Sequence, residues 1–355
     1  MTDTGLGPLA ARIPEVLRGS AAYHVPVPPN VIAKLDANEL PYSLPADLRA
    51  QLAGELSTLA LERYPDPTAK RLRAAISRQL GVAGERVVFG NGSDELIAML
   101  CAAFAGPILV PAPTFVYYKL AAVNRGIPLV EVPLGPRFEL DEDAMFDAVA
   151  VHQPSVVFLA LPNNPTGGLW RMSFATELAA RHRDVVVVSD EAYVAYSGAT
   201  NLAVLDEHPN LVVMRTLSKL GMAGLRVGYV IASRSVASVL EKVRPPYNVS
   251  TLDQCAAAFL IDHASDWCAA RAAEVVVERE RLALALVERG FDVIPSQANL
   301  LLVKFADAAA TWQHLFDRGI SVRKFGPGRL ADHLRITIGT PAENAAFLAA
   351  LESKP

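Results

Sequence analysis

The chain has 355 residues, 52% of them hydrophobic, and a formal net charge of -4. That length exceeds one simple core and predicts a large unit with a smaller one, while the charge argues against a nucleic-acid surface, which needs a basic face. Three cysteines without a CxxC and seven histidines without an HxxxH spacing speak against a disulfide framework and a metal site, and suit a reduced, cytoplasmic protein.

The first forty or so residues are proline-rich and read as an arm. Their opening stretch, "MTDTGLGPLAARIPEVLRG", lacks a basic segment followed by an apolar core, so no signal peptide is expected. The uncharged run "LIAMLCAAFAGPILVPAP", Leu96 to Pro113, is broken by Gly106-Pro107. It reads as a core helix and a short strand, not as a membrane span.

From about residue 85 to 235, short β-branched runs alternate with helical stretches. The runs are "RVVF", "PILVPAP", "PLVEVPL", "SVVFLALP", "DVVVVSDEAY", "LVVMRTLS" and "VGYVIAS". Apolar strands alternating with helices predict an α/β unit with a mostly parallel sheet, flanked by helices on both faces.

Ligands of such sheets bind beyond the carboxyl ends of the strands, and polar residues recur there. "GNGSDE" offers two glycines and a helix start with Ser93 and Asp94, either an anion cradle or an ordinary turn capped by Ser93. Phe115 follows the next strand, as a stacking ring or as core. "PNNPTGG" is a tight turn that leaves the amides of Asn163 and Asn164 near the crevice. Asp190 ends a fully apolar strand, where a carboxylate needs a cation or strong donors unless it caps a helix; Tyr193 follows. "TLSKLGMAGLR" adds the hydroxyls of Thr216 and Ser218, the amine of Lys219 and the cation of Arg226. A cradle, a ring, an acid, hydroxyls and an amine together match pyridoxal 5'-phosphate, which has a phosphate, a pyridinium nitrogen, a phenolate oxygen and an aldehyde.

"KVRPPYNVS", Lys242 to Ser250, reads as a hinge. Beyond it come an Ala-rich helix from Asp266, closed by Gly290, and two strands in "ANLLLVKF" and "LRITIG". That order predicts a smaller α+β unit. The expected division is an arm over 1–43 that joins the small unit and a dimer contact, a large unit over 44–245 and a small one over 246–355.

The segments "GNGSDE", "PNNPTG", "SDEAY", "TLSKLGMAGLRVGY", "RPPYN" and "LRITIGT", with "AYHVP" and "ERYPDP", resemble the fold-type I pyridoxal-phosphate aminotransferases, and within them the histidinol-phosphate aminotransferase branch. The resemblance implies that Lys219 takes the cofactor's aldehyde and later moves the substrate proton. It implies Asp190 beside the ring nitrogen, Asn164 and Tyr193 on the phenolate oxygen, and Phe115 against the ring. Ser93, Asp94, Thr216, Ser218 and Arg226 would hold the phosphate, with Tyr64 reaching the phosphate of the other subunit of a homodimer. Arg335 would grip a substrate carboxylate. Arg323 and Tyr23 would serve a distal phosphate, with Tyr247 and Asn248 nearby. The arm reads "DANELPYS", placing Leu40 where the branch shows a polar residue.

The implied reaction is transamination of histidinol phosphate with 2-oxoglutarate, glutamate being the donor in the biosynthetic direction. Alternatives with the same core are an aromatic amino-acid aminotransferase and a decarboxylase of a phosphorylated amino acid. A cofactor-binding regulator would carry a DNA-binding module in front of the fold, where this chain shows a short arm. The expected partners are small molecules and a second copy, without nucleic acid or membrane.

Overall fold

The structure, a computed structural model, describes residues 7–13 and 26–352. Twelve strands run in chain order among these residues: β1 (Ala33–Leu35), β2 (Val87–Asn91), β3 (Ile108–Ala112), β4 (Leu129–Pro133), β5 (Val156–Ala160), β6 (Val186–Asp190), β7 (Leu211–Thr216), β8 (Val227–Ile231), β9 (Asp292–Ile294), β10 (Leu300–Lys304), β11 (Ile320–Lys324) and β12 (His333–Thr337). The seven strands expected between residues 85 and 235 all form.

They build one sheet in the order β2-β8-β7-β6-β5-β3-β4. β8 is antiparallel to both its neighbours, and the other pairs are parallel. The continuous apolar runs follow from burial on both faces. Phe89, Val157, Val187 and Val213 enter one core cluster, while the alternating Val88, Phe158, Val188 and Met214 enter another. The uncharged run resolves into the helix Gly92–Ala103 and β3. Among the described residues, no helix is long and apolar enough to cross a membrane.

A second sheet has the order β1-β11-β12-β10-β9. The sequence reading anticipated β10 and β12 but not β1, β9 or β11. β1 comes from the arm and pairs in parallel with β11, Ala33 opposite Ile320. The helix expected from Asp266 begins at Thr251, capped by the Ser250 side chain, and runs 38 residues to Glu288. Gly290 follows with φ +82°, the left-handed conformation of a residue just past a helix end. One half of this helix places Ala257, Phe259 and Cys268 in the core of the large sheet. The other half places Val275, Leu282 and Leu286 in the core of the small sheet.

Candidate active site

The parallel strands end at one edge of the large sheet, and the residues singled out above follow them. Because β8 runs the other way, Arg226 at its amino end arrives at that same edge. A cleft of about 140 Å³ there is lined by Ser93, Asp94, Phe115, Asn164, Asp190, Tyr193, Thr216, Ser218, Lys219 and Arg226. It adjoins a wider cavity of about 500 Å³, shared by Phe115, Asn164, Arg323 and Arg335.

The cradle forms without Ser93 as a cap. The helix starts at Gly92, φ +77°, with Asn91 in the capping position. The Glu95 carboxylate reaches back to accept from the Asn91 N–H at 2.7 Å, as in a capping box. A Cβ on Gly92 would stand 2.6 Å from the Arg226 guanidinium, and one on Gly228 2.8 Å from the Ser93 nitrogen. Both glycines are therefore required for the backbone and the arginine to close on one point. Arg226 lies 3.4 Å from the Ser218 hydroxyl and 3.4 Å from an Asp94 oxygen. Thr216 donates to the Ser218 hydroxyl at 3.0 Å. Three kinds of anion donor thus meet at the open end of a helix: backbone N–H groups, hydroxyls and a guanidinium.

The two asparagines separate. Asn163 is fully buried; its amide donates to the Pro113 carbonyl and Thr166 hydroxyl, and its oxygen accepts from Thr114 at 2.7 Å. It holds the turn together rather than facing the crevice as expected. Asn164 faces the cleft. Its oxygen accepts from Arg335 at 2.8 Å, which leaves its NH₂ to donate inward. Tyr193 is arranged likewise: its hydroxyl oxygen accepts from Asn38 at 2.8 Å, so its proton is directed elsewhere.

At the closed end lies Asp190. No helix begins on it; one oxygen accepts from the Ala192 N–H at 3.1 Å and the other from the Tyr118 hydroxyl at 2.5 Å. Burial raises its carboxyl to about 6, although both hydrogen bonds favour the charged form. Lys219 emerges after β7, its amine donating to the Ala37 carbonyl at 3.3 Å and its own carbonyl held by the Tyr196 hydroxyl at 2.5 Å. Burial, then the Arg335 cation, lowers its amine to about 8. A substantial share of free amine near neutral pH is what reaction with an aldehyde requires.

Arg323 and Arg335 are cross-strand partners on β11 and β12. Like charges directly opposite are destabilising, and an anion between them removes that repulsion. Tyr23 lies outside the described residues. Tyr64 is 81% exposed and stacks on Tyr247, ring centroids 4.7 Å apart; neither lines the clefts of its own chain. Asn248 is tied to Glu95 at 2.5 Å and to the Phe89 carbonyl at 3.2 Å. Tyr247 and Asn248 therefore do not join the arginine pair as expected. Leu40 packs into the core of the small sheet, next to Gly221.

Sequence reading missed Asn38, the Ala37 carbonyl, Tyr118, Tyr196 and Ala192, which also lines the cleft. Asn38 takes a left-handed backbone, φ +54°, a conformation that asparagine adopts more readily than most residues. The Tyr118 and Tyr196 hydroxyls and the Ala37 carbonyl meet partners 23 to 182 residues away, and the Ala192 N–H serves Asp190, two residues before it.

The family model "Aminotransferase class I and II" matches residues 30–351. The chain belongs to that family. It is 44% identical to histidinol-phosphate aminotransferase 1 of Ralstonia nicotianae, over 94% of this chain and 91% of that protein. It is 43% identical to histidinol-phosphate aminotransferase 2 of Cupriavidus pinatubonensis, over 94% of each. Among solved structures it is similar to the histidinol-phosphate aminotransferase of Sinorhizobium meliloti in complex with pyridoxal-5'-phosphate. The TM-score there is 0.84, at 23% identity and 96% coverage of both chains. The fold is that of the fold-type I aminotransferases, enzymes that use pyridoxal phosphate. The cleft of this aminotransferase suits that cofactor: an anion cradle at one end, a buried acid at the other, and a low-pKa amine between them.

Proposed function

We propose that this aminotransferase interconverts histidinol phosphate and imidazole-acetol phosphate, with 2-oxoglutarate and glutamate as the other pair, as a cytoplasmic homodimer. The names of its relatives support the substrate, and the observation that carries it is the facing pair Arg323 and Arg335 in the wider cavity.

When bound, pyridoxal phosphate supplies an aldehyde that takes up an amine and a cationic ring that draws electrons from the carbon bearing it. Lys219 would provide the resident amine and the base that moves a proton at the reacting carbon. Asp190 places a negative charge where the ring nitrogen would carry its proton. Asn164 and Tyr193 would donate to the phenolate oxygen, and Phe115 would pack against the ring. The backbone of Ser93 and Asp94, with Thr216, Ser218 and Arg226, would hold the phosphate, and Tyr64 would reach the phosphate in the partner subunit. Arg335 grips the glutamate α-carboxylate; Arg323, Arg335 and Tyr23 receive the phosphate of the other substrate.

An ionic hydrogen bond lost from a closed site costs on the order of 2–5 kcal/mol. Arg323→Ala should therefore lower kcat/KM for histidinol phosphate roughly 30-fold or more, and that for phenylalanine much less. Equal losses on the two substrates, or a wild type that prefers phenylalanine or threonine phosphate, would refute the substrate while leaving the family intact.

A further inference from the structure

Tyr118 lies on the helix Val116–Val123 and is completely buried. Its ring stacks on Phe158, centroids 4.7 Å apart and 15° between planes. It meets Phe115 edge-on at 5.6 Å and 87°. Its hydroxyl donates to Asp190 Oδ2 at 2.5 Å. One side chain thus touches both the ring that faces the cleft and the acid at its closed end.

Burial and the neighbouring Asp190 carboxylate push the Tyr118 phenol well above its ordinary range, so it remains a donor. The charged and titratable groups around Asp190 are few. Glu191, the next residue, and Asp94, on the helix Gly92–Ala103, both repel its charge, and Tyr193 stands nearby. Glu191 is itself held on the other side by Arg215 at 2.9 Å. Among the described residues, Tyr118 is the side chain that donates a hydrogen bond to Asp190.

We propose that Tyr118 is the positioning residue that fixes the aim of Asp190 and keeps it ionised. This rests on the reading of Asp190 as the partner of the cofactor's ring nitrogen. A hydrogen bond to the charged form of an acid lowers its pKa. Without the hydroxyl, the desolvated carboxyl would hold its proton to higher pH and meet the ring's cation less often at neutrality.

The test uses pyridoxine 5'-phosphate, which has the ring and the phosphate but no aldehyde, so Lys219 cannot bond to it. Its binding to cofactor-free protein is measured by calorimetry from pH 5 to 8. Because a phosphate monoester also titrates near pH 6, Asp190→Asn supplies the baseline and the readout is the difference from it. In the wild type, binding relative to that baseline should strengthen as pH rises through about 6. In Tyr118→Phe the midpoint should move up by about one pH unit, the size expected from one hydrogen bond to a charged group. Phe158→Leu, which removes the stack but leaves the hydroxyl, should lower Tm without moving the midpoint.

Thermal unfolding of the cofactor-free protein gives a second readout. An acid whose folded pKa is raised contributes stability that is present at low pH and lost as pH rises through the folded value. The wild type should lose stability between about pH 4 and 6, and Tyr118→Phe should continue losing it to higher pH. If Tyr118→Phe keeps the wild-type midpoint in both measurements, or Phe158→Leu shifts it equally, Tyr118 is only packing. If Asp190→Asn matches the wild type at every pH, the reading of Asp190 itself fails.

Discussion

A lysine at the end of a buried strand is either exposed or kept for its amine, and Lys219 is kept. Its amine faces the cleft, and burial lowers it to about 8. A base whose folded pKa is lowered binds fewer protons in the native state, so stability rises with pH between the folded and unfolded values. The cofactor-free wild type should gain stability from about pH 8 to 10.5, and Lys219→Ala should lack that gain. The same variant should lose roughly 1,000-fold or more in kcat, the scale of a missing proton-transfer group. Borohydride reduction of the wild type should fix the cofactor to the peptide that carries Lys219; a label on another lysine would move the site. Lys219, Asp190 and Asn164 were legible because each breaks the pattern just past an apolar strand. Tyr118 and Asn38 were not, because their partners lie 72 and 155 residues away and nothing local marks them.

The arm is the element whose structure says most about closure. β1 extends the small sheet, and the next residues cross to the large one. Arg335 donates to the Asp36 carbonyl, Lys219 to the Ala37 carbonyl, and Asn38 to Tyr193. Asn38 is further fixed by Thr337, which accepts from its N–H at 2.9 Å and donates to its side-chain oxygen at 3.0 Å. Proline-rich composition pointed to an arm but could not reveal that three of its residues form a strand. Strand pairing depends on β11, almost three hundred residues later, and β11 is itself short and partly charged. Asn38→Ala loses buried hydrogen bonds and keeps a left-handed backbone, at a cost of about 2–4 kcal/mol in chemical unfolding. Asn38→Gly should recover about 1 kcal/mol of that, since glycine accepts φ +54°. Both variants should have reduced kcat, because Tyr193 loses the donor that orients its hydroxyl. Full activity in Asn38→Gly would show that the contact serves the backbone alone.

For the whole molecule, the sequence revealed the seven strands of the large sheet and two of the five in the small one, but not their order. The alternation of apolar runs and helices implied a covered, mostly parallel sheet, and that sheet forms. The reversal of β8, which brings Arg226 to the cofactor edge, is fixed by pairing with β2 and β7 and leaves no mark in the run "VGYVI". The exposed stack of Tyr64 on Tyr247 has its own consequence at this scale. If each site borrows Tyr64 from its neighbour, a chain lacking Lys219 can still lend a sound tyrosine. Lys219→Ala and Tyr64→Ala subunits, unfolded together and refolded in equal amounts, would then form hybrids with one site wholly repaired and the other doubly broken. Random pairing makes half the dimers hybrid, so the repaired sites should supply about a quarter of wild-type activity beyond what the Tyr64→Ala dimers in the mixture keep. A mixture no more active than the mean of its parents would mean that every site is built from a single chain.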